Sequence, residues 1–258
     1  MVATTYTGDA ARPGYFYVWM AGACALFAFG AFAGTYWLQL AAGTFVKGSS
    51  LLHLHAGLFS AWTLLLVSQT WLEANGKLDH HRAWGLAGIA LAGAMVVVGL
   101  ALAIHSVSGY LAQGYGNAAR AFFWLPAAGI VEFAVFFGLA VANRHRTEWH
   151  RRFMLAGTVG LLQAAAARIG FLITTGGGPG ARPGLGPPVS PATGIQATLM
   201  VSLLLVALAI YDWRTRGRPH PATLIGLGVL LAIAFAGPVV TTTGPWLRFV
   251  DGMLTFGR

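Results

Sequence analysis

Seven runs of about 20 apolar residues, separated by short polar connections, fix what this chain can become. A bilayer core of about 30 Å is crossed by about 20 residues of helix. Inside hydrocarbon every backbone amide must be bonded within the membrane structure itself. The runs predict an all-α polytopic membrane helix bundle, a single integral membrane domain over residues 1–258. Spans are expected near 15–40, 51–72, 84–104, 122–141, 153–174, 195–211 and 223–242, the sixth being the shortest. Only 9% of the residues are charged and 57% are hydrophobic. A water-soluble domain carries about 25% charged residues, so an ordinary soluble enzyme, a disordered chain and a disulfide scaffold are excluded. The lone Cys24 excludes thiolate metal clusters and internal disulfides. The first run is too long for a signal-peptide core and lacks a basic leader, so it is read as a retained span.

The net charge of +9 sits in clusters between the runs. That is how the positive-inside rule writes topology, and it argues against nucleic acid as a partner. With the N-terminus inside, ten basic residues share one side: Arg12, Lys77, Arg82, Arg144, Arg146, Arg151, Arg152, Arg214, Arg216 and Arg218. Five share the other: Lys47, Arg120, Arg182, Arg248 and Arg258. The expected placement is a bacterial inner membrane, N-terminus cytoplasmic and C-terminus outside. A Gly/Pro-rich outer loop spans 175–191; it is either a flexible connector or a cover over an outer-face cavity. No Lys-Ser or Lys-Thr follows its glycines, so it is not a phosphate loop.

His81-Arg82-Ala-Trp-Gly-Leu-Ala-Gly88 returns as His150-Arg151-Arg-Phe-Met-Leu-Ala-Gly157, 69 residues later. His220 follows after a further 70, with Pro221 in place of the Arg. The pattern predicts three parallel helical hairpins after a first helix, the third degraded.

Ionisable groups inside a membrane are costly and mark candidate sites. His53 and His55 open the second span and His105 closes the third, all at the outer face. Neutral imidazole ligates heme iron, copper or zinc, so these three are metal or cofactor candidates; water or headgroup bonding is the alternative. Glu132 lies mid-way along the fourth span, and Arg168 lies in the fifth. They form either a packing ion pair or a polar cavity, with Gln39 and Gln163 extending the polar strip. At the inner face His81, His150, Arg82, Arg151 and Arg152 stand at helix starts, where free amides and basic side chains attract anions. A lipid phosphate or a heme propionate would fit there, and His81, His150 and His220 together could form a three-histidine metal site.

His-x-x-x-His, Cys-x-x-Cys-His and nucleotide-binding motifs are missing from the sequence, as is a lysine in the last span. The stretch His53-Leu-His-Ala-Gly57, with His81-Arg82-Ala-Trp-Gly85 and His150-Arg151-Arg-Phe-Met154, resembles small bacterial multi-helix membrane proteins. Some of these are cytochrome b561-like, others cytochrome oxidase assembly-like. The resemblance covers spans two to five. It implies heme b held by histidine pairs, with His53, His55, His81 and His150 as candidates, although here the histidines stand at helix ends. Three functions stay open: a redox or metal-handling protein binding heme b or copper, for electron transfer or respiratory-complex assembly; a non-catalytic subunit of a larger membrane complex; and a transporter or channel using Glu132 and Arg168. Membrane lipid is an expected partner in each, and whether the chain is an enzyme is left open.

Overall fold

A computed structural model describes residues 15–45, 48–176 and 186–255. Among the described residues every regular element is helical. Span one comprises α1 (Phe16–Phe32), a widened π turn at Ala33–Trp37 and α2 (Leu38–Ala41). Then come α3 (Ser50–Ala74), α4 (Leu78–Ala112), α5 (Gly116–Phe122), α6 (Trp124–Ala142), α7 (Thr147–Leu161), α8 (Gln163–Thr175), α9 (Pro191–Arg216), α10 (Pro221–Val240) and α11 (Gly244–Thr255). Seven helical stretches are long and apolar enough to cross a membrane, with α5–α6 and α7–α8 each forming one of them. The molecule is an all-α integral membrane protein.

Local chemistry sets the boundaries. Ser49 and Ser190 cap α3 and α9 by accepting the amides of Leu52 and Thr193. Pro191 and Pro221 stand at first helical positions, where no amide is needed. Gly217, at φ +74°, closes α9 in the left-handed conformation. The third span exceeds expectation: α4 has 35 residues, about 52 Å of helix. No proline interrupts its polar ends, which stay helical, so His105 lies about two turns inside the helix while His81 stands in its first turn. The sixth span is also longer than 195–211, since Ser190-Pro191 starts it early. Residues 177–185 of the Gly/Pro loop lie outside the described residues. Helix α11 was not expected, being too short to span; its Trp246 indole donates to Arg120 O at 3.1 Å, and Asp251 pairs with Arg120 at 2.7 Å.

The most extensive helix pairings are α3 with α4, α6 with α7 and α9 with α10, which are the three expected hairpins. Helix α7 lies at the centre, against α1, α6, α9 and α10. It buries Phe153, Leu155, Ala156 and Val159. Small residues allow the close approach: a Cβ on Gly226 would stand 2.8 Å from the Ala156 Cβ. The outer surface presents Leu26, Val97, Leu203 and Val239, an apolar coat that meets lipid.

One ionic clamp ties the centre together. Arg152 is 1% exposed and Asp212 0%. The Arg152 guanidinium donates to both Asp212 oxygens, and its Nη1 reaches Glu148 Oε2 at 2.6 Å. Asp212 Oδ2 also accepts from Thr223 Oγ1 at 2.7 Å and from the His220 amide at 3.1 Å. Glu148 pairs with Arg151 and with Arg216. Arg152 was a lipid or anion candidate, but its donors serve this clamp and it lies out of reach of a headgroup. Asp212 drew no notice in the sequence, since beside Trp213 and Arg214 at a span end a solvated aspartate is the ordinary outcome.

Candidate functional site

Three departures from regular helix adjoin one space. The first is the π turn at Ala33–Trp37. The second is the break at Phe123, where Pro126 withholds the amide that would bond Phe122 O. The third is the break at Leu162 between α7 and α8. Between them lies a cavity of about 400 Å³, within the size range of small-molecule sites. Its wall is mostly apolar and aromatic, with Phe29, Phe32, Trp37, Phe59 and Phe122 prominent. Its polar lining includes His55, Gln163, Thr35, Thr158 and Arg168.

Arg168 on α8 is the charged residue of that wall. Among the described residues no ion pair includes it. Its guanidinium lies over the Phe32 ring, 5.3 Å from the centroid, a cation–π contact that offsets part of the cost of a charge at this depth. His55 on α3 stacks on Phe59 with ring centres 4.0 Å apart, and its buried Nδ1 has no hydrogen-bond partner among the described residues. The Thr35 hydroxyl is likewise unpartnered. Gln163 is held from both ends: its Nε2 donates to Gly160 O at 3.1 Å and its Oε1 accepts from Thr198 at 2.7 Å. Thr158 accepts the Trp62 indole at 3.2 Å, joining α3 to α7 behind the cavity.

Glu132 on α6 is 3% exposed, and neither carboxyl oxygen has a hydrogen-bond partner among the described residues. It lies behind Gly160, a cavity-lining glycine whose missing side chain gives it room: a Cβ there would stand 2.9 Å from Oε2. Among the described residues Glu132 and Arg168 form no ion pair; Arg168 and Gln163 line the cavity, and Glu132 and Gln39 are not among its lining residues.

The remaining candidates disperse. His53 faces Tyr36, its Nδ1 2.8 Å from the hydroxyl. Gln39 is buried and donates to Gly34 O at 2.9 Å. His105 is exposed on α4. Arg82 is exposed and pairs with Asp79 at 3.4 Å. Arg151 pairs with Glu148 and lies over the Tyr17 ring at 4.6 Å. His81 and His150 meet at the opposite end of the bundle, with ring centres 6.3 Å apart. His220 is not with them; its ring packs edge-on against Trp149 at 4.9 Å. A heme b held by two imidazoles requires both rings to face one space. Of the outer-face histidines only His55 lines the cavity, so His53, His55 and His105 do not face one common space. Among the described residues no three His, Cys, Asp or Glu side chains gather as a metal-binding group.

Sequence reasoning missed the aromatic liners, Thr35, Thr158 and Gly160. Pro126 was the one legible signal of an irregular helix here. The chain was compared with family models, curated proteins and solved structures, and none of them matches it.

Proposed function

We propose that this protein binds, within the membrane, a small amphipathic molecule with an anionic head, and that it passes that molecule across or along the bilayer. The observation that carries the reading is Arg168: a guanidinium on a mostly apolar cavity wall that enters no ion pair among the described residues. A charge at such a depth is normally paired or hydrated, and an anionic ligand head would supply the pairing. The aromatic walls suit the ligand's apolar body, and His55 and Thr35 offer further polar contacts near the head. Topology supports a placement with the basic end of the bundle in the cytoplasm of a bacterial cell.

The test uses the protein in lipid nanodiscs, titrated with decanoate and with methyl decanoate. The acid is expected to bind at least about tenfold tighter than the ester, a difference of about 1.4 kcal/mol. Arg168→Gln is expected to erase the preference with the fold intact. Equal binding of acid and ester, or a preference that persists in Arg168→Gln, removes the proposal.

A further inference from the structure

The repeated His-Arg stretches converge, far from the cavity. His81 is the fourth residue of α4 and His150 the fourth residue of α7. Each is preceded, two positions earlier, by an acid: Asp79 and Glu148. Each turns its Nδ1 to a backbone carbonyl of the helix before it. For His81 the acceptor is Gln69 O of α3 at 3.3 Å; for His150 it is Ala140 O of α6 at 2.8 Å. A carbonyl only accepts, so Nδ1 carries the proton in both rings. In neutral imidazole Nε2 is then the nitrogen with the free lone pair. Two imidazoles so fixed are brought within 6.3 Å of each other, their planes at 80°.

This is the preparation that histidine ligands receive in metal sites: the second nitrogen donates to a carbonyl, which locks the tautomer and raises the basicity of the ligating atom. With a metal–nitrogen bond of about 2.0 Å and a nitrogen about 1.1 Å from its ring centre, two imidazoles on opposite sides of an ion have centres about 6.2 Å apart. At a tetrahedral angle the same bonds place the centres about 5.1 Å apart. The observed separation matches the linear arrangement. Zinc demands four ligands, and no third His, Cys, Asp or Glu joins the pair among the described residues. Copper(I) has a filled d shell, accepts two-coordinate linear binding and takes imidazole nitrogen. Glu73 stands in the last turn of α3, the helix whose Gln69 carbonyl faces His81. Arg151, next to His150, pairs with Glu148, a carboxylate it shares with Arg152 and Arg216.

We propose that Nε2 of His81 and Nε2 of His150 hold one copper(I) ion in linear two-coordination at the basic end of the bundle. The site joins the first two hairpins, α3–α4 and α6–α7, through one ion. It is independent of the cavity and of the anion-binding reading, since neither histidine lines that space.

The test is copper(I) titration of the purified, chelator-stripped protein in detergent, under reductant, against a chromophoric copper(I) chelator. One ion per chain is expected. His81→Ala and His150→Ala should each weaken binding by more than the roughly 10–100-fold that follows loss of a merely supporting group. His105→Ala, which alters an exposed histidine, should leave it unchanged. Circular dichroism of each variant shows that the helices persist, and the X-ray absorption edge of the loaded wild type should report two nitrogen neighbours. Failure of the wild type to outcompete His81→Ala overturns the proposal. So does loss of binding in His105→Ala, or an edge showing three or four neighbours.

Discussion

Glu132 and Gly160 occupy what is in effect one site, because the carboxyl group fills the volume a side chain at 160 would need. Gly160→Ala is therefore expected to destabilise the protein by about 1–3 kcal/mol, the usual cost of overpacking. In a Glu132→Ala background the same substitution should cost far less, since its clash partner is gone. A double-mutant cycle on thermal unfolding in detergent measures the coupling; additive effects would show that the two residues do not share space. The sequence disclosed Glu132 but not this dependence. A buried carboxyl announces itself by chemistry wherever it stands in a span, whereas one glycine among 35 becomes special only through what packs on it. Arg152 and Asp212 teach the same lesson in reverse. Both were readable as ordinary interfacial charges, and only the approach of α7 to α9 makes them a buried pair.

Among the elements, α10 begins in a way that ties its stability to pH. His220 caps the helix with its Nδ1, which accepts the Ala222 amide at 3.1 Å. A protonated Nδ1 cannot accept. Burial first, and then the nearby Arg152 and Arg216 charges, push the His220 pKa from 6.5 down to about 4. The unfolded chain thus binds a proton between these values that the folded chain refuses. The stability this cap provides is complete above pH 6.5 and is lost as the pH falls toward 4. Melting in detergent should drop between about pH 7.5 and about pH 5, and His220→Asn, which caps without titrating, should drop less. Equal slopes in the two proteins would mean that His220 already carries its proton. Hydropathy located each spanning helix because lipid imposes a length. Caps, breaks and the π turn were less visible, since Ser190-Pro191 and Pro126 are local signals but the widened turn at Ala33–Trp37, which borders the cavity, carries no proline to announce it.

Over the whole molecule, the hairpin order puts the turns at Asn75, Asn143 and Gly217 at one end, and Gln113 at the other. Cysteines introduced as Asn75→Cys and Gln113→Cys should react with an impermeant maleimide from opposite faces, the first only from the cytoplasm. The native thiol does not compete, because Cys24 is 0% exposed. Labelling of Asn75→Cys from outside would invert the assignment. The hairpin plan was legible because the apolar runs and the His-Arg repeat recur at a regular spacing, while the meeting of His81 with His150 depended on how hairpins pack side by side. The histidine–carbonyl bonds also bear on how such a chain is made. They close across 12 and 10 residues of sequence, whereas Trp62–Thr158 and Arg152–Asp212 bridge 96 and 60. Since each histidine is only the fourth residue of its helix, a ribosome feeding the bilayer has barely begun that helix when its fastening to the previous one becomes available. Each hairpin can thus be registered as it emerges, and the long-range clamps are left for lateral assembly once the whole chain is in the membrane.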